Sequence, residues 1–129
     1  MEALNIPYPL PEGGFNIPLR AAFTGIKNVP HLALTHSSIS PKLTLYNTEI
    51  EYRVVRGGKK PYSDIERVEV FQTIATNNVI FIWQDSMFTF TANLRHEAHL
   101  PELLRFLQSR MVQLSDSAHK VLEEAKKGY

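Results

Sequence analysis

The sequence predicts a mainly β domain closed by a C-terminal helix: a partly open barrel of about seven antiparallel strands, one amphipathic helix plugging it, and a short second helix. Three observations carry this. Residues 42–93 read as consecutive short strands divided by turn residues. After residue 99 the apolar spacing changes from two to three or four. At 129 residues with 43% hydrophobic and 21% charged content, the chain has the size and composition of one globular domain.

Residues 1–14 form a proline- and glycine-bearing lead-in, with Pro11-Glu12-Gly13-Gly14 as a turn. Phe15, Ile17, Leu19, Ala21 and Phe23 alternate with other residues, predicting one half-buried strand over 15–23. Pro18 has no amide to donate, so this strand belongs at an edge or carries a bulge. His31–His36 is a weaker strand candidate.

Lys42–Tyr46 and Glu49–Val54 read as strands around an Asn47-Thr48 turn. Gly57-Gly58 is the strongest hairpin signal, since a favoured two-residue turn needs positive φ at both positions. Apolar alternation slips between Ile65 and Val68, as a bulge or turn near Asp64 would make it do. Glu66–Phe71 is the strand that follows, and Thr76-Asn77-Asn78 is its expected turn. Val79–Trp83 is apolar on both faces, as a central strand would be. Gln84-Asp85-Ser86 turns the chain into Met87–Ala92.

Leu100, Leu103, Leu104, Leu107, Met111 and Leu114 then recur at helical spacing. Pro101 suits the first helical turn, and Glu102 beside it favours the positive end of the helix dipole. Ser115-Asp116-Ser117 offers caps for a second helix with Ala118, Val121, Leu122 and Ala125 as its stripe. The domain is thus expected over 15–113, with 114–129 as a helical extension.

Seven strands followed by a helix is an element order that resembles the bacterial pleckstrin-homology-like (PH-like) family. The resemblance rests on Lys42-Leu-Thr-Leu-Tyr-Asn-Thr-Glu-Ile-Glu-Tyr52 and on Pro61-Tyr-Ser-Asp-Ile-Glu-Arg-Val-Glu-Val70, whose Tyr-Ser-Asp-Ile-Glu-x-Val is similar to a phrase recurring before a strand in that family. It spans about residues 15–113. It implies two nearly orthogonal sheets with a helix over one end. Burial is worth roughly 1.5–3 kcal/mol per large apolar side chain, so the leucine stripe is structural first. The resemblance also implies a ligand site, where there is one, at the far loops or along a sheet edge.

Arg53, Arg56, Lys59 and Lys60 cluster around the two glycines and are the candidate site for an anionic phospholipid or small anion. About 1 kcal/mol per basic residue at an anionic surface gives only a weak hold. A solubilising hairpin tip that discourages edge pairing explains the same residues. Val121 and Leu122 are the candidate interaction surface, a stripe too small to bury itself completely.

His96-Glu97-Ala98-His99 is not the His-Glu-x-x-His zinc pattern, and no third ligand is placed by sequence, so it reads as a polar lead into the helix. His31, His36 and His119 gather no triad. The serines 37, 38 and 40 lie in no Gly-x-Ser-x-Gly elbow. Gly57-Gly58-Lys59-Lys60 lacks the phosphate-loop spacing. Asp64, Glu66 and Glu69 suit solvent-facing strand positions.

These features point away from an enzyme, a metal centre and a cofactor. A net charge of +1 argues against nucleic acid, and the aromatics 81, 83, 88 and 90 follow core spacing with few cations near them. The absence of cysteine suits a reducing compartment, and no secretory leader or apolar span is visible. The sequence therefore predicts a cytoplasmic binding module. Its expected partner is another protein or a second copy of itself at a strand edge near Pro18 or Pro61, with peripheral contact to an anionic membrane as the alternative and a small metal protein or enzyme using His96 and His99 as the weaker one.

Overall fold

The computed structural model describes residues 3–27, 29–37 and 40–127, with side chains at 3–27 and 40–126. Among the described residues nine strands form two antiparallel sheets, and two helices follow. The first sheet contains β1 (Phe15–Asn16), β4 (Lys42–Leu45), β5 (Glu49–Arg53) and β6 (Gly57–Pro61), in the order β1-β4-β5-β6. The second contains β2 (Leu19–Ile26), β3 (Val29–Ser37), β7 (Ile65–Gln72), β8 (Asn77–Trp83) and β9 (Phe88–Leu94), in the order β3-β2-β9-β8-β7. The helices are α1 (His99–Ser109) and α2 (Asp116–Lys127).

The count exceeds the expected seven for two reasons. The single strand expected over 15–23 is two strands in different sheets: β1 pairs with β4, and β2 pairs with β3 and β9. The chain changes sheets at Ile17-Pro18, where Ile17 still donates to the Leu43 carbonyl (2.9 Å) and the Pro18 carbonyl accepts from the Arg95 amide (3.1 Å). Proline supplies no ladder donor, so pairing ends there and the corner forms. The weaker candidate over 31–36 is also a full strand, β3, paired with β2 through a shifted register at Thr24–Ile26.

The return between sheets occurs at a single 3-10 turn, Tyr62–Asp64, followed by a register shift between Ile65 and Arg67. Turn and bulge together account for the slipped alternation.

Two turns lie elsewhere than expected. Gly57 and Gly58 are not the hairpin turn; they are the first residues of β6, facing Arg53 and Tyr52. The chain reverses over Val54–Arg56, with the Val54 amide on the Arg56 carbonyl (3.3 Å). Neither glycine has positive φ. Their lack of a side chain matters for another reason: a Cβ on Gly58 would lie 3.0 Å from the Tyr52 hydroxyl, and one on Gly57 3.1 Å from the Tyr52 carbonyl. The next turn falls on Thr73–Thr76, a few residues before the expected position. There the Thr73 hydroxyl accepts from the amides of Ala75 (3.2 Å) and Thr76 (3.0 Å).

The core lies between the sheets and under α1. The first sheet contributes Leu43, Leu45 and Ile50, the second Phe81, Trp83, Phe90 and Leu94, and α1 Leu100, Leu103, Leu104, Phe106 and Leu107, all buried. Tyr52 bridges the sheets, its ring 5.1 Å from that of Trp83 and 5.2 Å from that of Phe90. The first amides of α1 donate to a preceding turn, His99 to the His96 carbonyl (3.1 Å) and Leu100 to that of Glu97 (3.0 Å). The helix ends in a Schellman motif: Val112 donates to the Leu107 carbonyl and Met111 to that of Gln108, with Met111 at φ 66.

Both flanking segments share this core. Ile6 and Leu10 from the lead-in are buried in it, as are Leu114 and Ala118 from the extension. The lead-in is strapped to α1, since the amides of Leu4 and Ile6 donate to Glu102 Oε1 and Oε2, each at 3.0 Å. Ser115 heads α2, its hydroxyl accepting from the Ala118 amide (3.4 Å) and its carbonyl from that of His119 (2.9 Å).

Candidate functional site

The ends of the two sheets differ in how they are finished. At the β7 end the chain covers its own edge. Val68 donates to the Gln113 carbonyl and accepts from the Ser115 amide, both at 2.9 Å, and the Val70 amide reaches the Ser117 hydroxyl at 3.0 Å. Segment 113–117 thus acts as a short parallel strand, bridging at Val68 and Leu114. At the β6 end no strand follows among the described residues.

The phase of the β5–β6 ladder shows what β6 leaves open. Tyr62 donates to the Thr48 carbonyl (3.3 Å) and Val54 to that of Arg56 (3.3 Å). Bonded positions alternate along an antiparallel pair, so Gly58 and Lys60 face β5. The amides and carbonyls of Gly57 and Lys59 face outward, as does the Pro61 carbonyl. Among the described residues none of these outward amides meets an acceptor. Pro61, having no amide, marks where such an edge stops accepting partners.

The four basic residues expected here do not converge. Lys60 lies opposite buried Ile50, on the core side of the sheet. Its stem runs to the second sheet, where the ammonium lies 2.9 Å from Asp85 Oδ1 and 5.3 Å from the Trp83 ring centroid. The hydrogen bond from Lys60 holds the Asp85 carboxyl below its usual range. Lys59 lies on the opposite face, facing Glu51, with its ammonium 5.0 Å from the Tyr46 ring centroid. Tyr46 donates to Glu51 Oε1 (2.9 Å) and Lys42 lies 3.3 Å from Oε2. The Tyr46 bond lowers the Glu51 pKa, and the same bond raises that of Tyr46.

Arg53 donates to the Ser40 hydroxyl (3.0 Å), and Arg56 is exposed in the turn beside exposed Val55. Arg53 and Lys59 therefore flank the outer face of the open edge, Arg56 marks its start, and Lys60 ties it to the rest of the barrel.

His96 and His99 meet edge to face, ring centroids 4.9 Å apart, with His99 buried and Glu97 exposed. Among the described residues no group of three metal-ligating side chains forms. His119 is exposed on α2, and the side chains of His31, His36, Ser37 and Ser38 lie outside the described residues. Val121 and Leu122 are half-buried against the core, each lining a shallow depression beside α2. The first depression adds Leu100, Pro101 and Glu97, and the second Arg105, Gln108 and His119.

No described helix is long and apolar enough to cross a membrane. The sequence reading missed the grip of Glu102 on the lead-in; the apolar residues Leu4, Ile6 and Leu10 among the prolines were its available signal. No family model matches the chain, and comparison with curated proteins finds no relative.

Proposed function

We propose that this chain is a non-enzymatic protein-interaction module built on the PH-like plan, and that its β6 edge takes an extended acidic segment of a partner as an added strand. The observation that carries the reading is the contrast between the two sheet ends. The β7 edge is covered by the chain's own residues 113–117, whereas β6 leaves the Gly57 and Lys59 amides turned outward. Backbone pairing supplies the hold in such additions, and alternate side chains supply selectivity. Selectivity here comes from Arg53, Arg56 and Lys59 beside the edge.

The same charges disfavour a second copy as partner. Two β6 edges paired antiparallel would set their cations against one another, and like charges directly opposite destabilise a strand pair. A carboxylate-rich strand meets no such penalty. The phospholipid alternative has less support, because Lys60 is engaged by Asp85 and Lys59 projects to the opposite face.

Nuclear magnetic resonance titration tests the reading. A seven-residue peptide alternating Glu and Val should shift the Gly57 and Lys59 amides, and its Gln–Val counterpart should bind several-fold more weakly. Lys59→Pro removes one outward amide and should abolish binding. Shifts absent at β6, or equal affinity for both peptides, would overturn it. Recovery on phosphatidylserine vesicles that exceeds recovery on neutral ones, and is lost in Lys59→Glu with Lys60→Glu, would favour the lipid reading instead.

A further inference from the structure

Residues 4–10 lie in a groove whose walls are α1 and the turn at Asn47. The groove holds them mostly by their backbone. The Leu4 and Ile6 amides each donate, at 3.0 Å, to one oxygen of Glu102. Asn5 between them has φ 53, a left-handed conformation that Asn adopts more readily than most residues. Two amides turned to one side around such a residue form a small anion-binding concavity, and here the anion is a side chain of the same molecule.

Further along, Asn47 handles Leu10 as a neighbouring strand would. Its Oδ1 accepts from the Leu10 amide (3.1 Å) and its Nδ2 donates to the Leu10 carbonyl (3.5 Å).

The side-chain contacts are apolar. Ile6 and Leu10 are buried. Exposed Tyr8 sets its ring 6.1 Å from that of Phe106. Phe106 meets Tyr62 edge-on at 5.8 Å, and the Arg110 guanidinium lies 4.6 Å from its centroid. Pro7 and Pro9 are exposed, and having no amide they ask no acceptor of the groove. The groove therefore reads two apolar anchors, an aromatic platform and the main chain of three residues, with no charge required of the occupant.

We propose that this groove is a second peptide-binding site, for uncharged, proline-interrupted segments with apolar residues four apart, and that residues 4–10 fill it in cis until such a partner competes. It is independent of the β6 edge, whose basic rim selects acidic segments.

The test uses the full chain and a synthetic peptide of residues 3–11. Ile6→Asp with Leu10→Asp expels the tethered segment without altering the groove. This variant should bind the peptide at least tenfold tighter than the parent chain does, and adding Glu102→Ala should weaken that binding at least tenfold. Equal binding by parent and variant, or no effect of Glu102→Ala, overturns the proposal.

A second measurement serves if the double variant does not fold. A tethered segment acts at an effective concentration on the order of millimolar, so the peptide at about 10 mM should displace it from the parent chain. The Leu4 and Ile6 amide resonances should then move to free-chain positions. Resonances that stay in place overturn the proposal equally.

Discussion

Glu102 Oε2 accepts the Ile6 amide at 3.0 Å, although the two residues lie near opposite ends of the sequence. The other oxygen takes Leu4, so one carboxylate closes both amides of the lead-in against the first turn of α1. Hydrogen bonds to a charged acceptor contribute about 1.5–3 kcal/mol each when shielded, and these are only partly so. Glu102→Ala should therefore cost about 2 kcal/mol in urea denaturation. Hydrogen exchange at Leu4 and Ile6 should quicken about 30-fold. Unchanged exchange at Leu4 and Ile6 would show that Glu102 does not act through the strap.

Met111 occupies the left-handed position of the α1 Schellman motif at φ 66 and is almost wholly exposed. A side chain there costs about 1–2 kcal/mol in backbone strain, part of which glycine gives back as unfolded-state entropy. Met111→Gly should stabilise the protein by about 0.5–1 kcal/mol, and Met111→Val should destabilise it. A thermal melt checks both. A lowered Tm for the glycine variant would mean that the methionine side chain makes a contribution larger than the strain.

Gly58 lies under Tyr52, where an added Cβ would be 3.0 Å from the hydroxyl and 3.2 Å from the ring carbon bearing it. Gly58→Ala should destabilise by about 1–2 kcal/mol through overpacking. Most of that penalty should vanish in a Tyr52→Leu background, since contacting residues couple. A penalty unchanged by Tyr52→Leu would place the cost in the β6 backbone.

Stability should fall at both ends of the pH scale. Hydrogen bonds from Lys60, Tyr46 and Lys27 lower the pKa of Asp85, Glu51 and Glu66, respectively. A carboxylate whose folded pKa is depressed stabilises above its unfolded value, near about 4. That contribution is lost as pH falls through the folded value. Asp85→Asn should flatten the acid limb measured between about pH 5 and pH 2.

Burial raises the Tyr62 pKa, and its hydroxyl donates to the Tyr46 carbonyl at 2.6 Å. Its contribution is full below the unfolded value of about 10 and is lost as pH climbs towards the folded one. Tyr62→Phe should make the alkaline limb shallower; an unchanged limb would remove Tyr62 from the account.

The legible part of this fold is the part set by periodicity. The two-residue rhythm of 42–54 and 66–92 and the three-to-four rhythm of 100–107 are direct consequences of which faces are buried. Even the slip after Ile65 was visible as a broken alternation. What eluded the sequence depends on neighbours far along the chain. Gly57-Gly58 looks like a turn until Tyr52 is known to lie over it. Pro18 suits an edge or a bulge with equal force, and only the pairing of β1 with β4 and of β2 with β9 reveals a corner instead. Ile6 and Leu10 sit among prolines without any period, so their apolar character signals burial but not that α1 buries them. The basic residues were found by composition, but the face each occupies follows from the β5–β6 register.

The crossing at Ile17-Pro18 also bears on how the chain is made. It commits β2 to the interior of the second sheet, flanked by β3 and β9. During synthesis β2 and β3 emerge together and can pair at once. The other side of β2 has no partner until Phe88–Leu94 leave the ribosome, after the whole first sheet has been made. Pairings of such long sequence separation form slowly, and unpaired edges are where nascent chains associate wrongly. The β2–β3 hairpin is therefore the segment that would need protection during translation, and slowing elongation between residues 37 and 88 should lower the soluble yield before it affects any property of the finished fold.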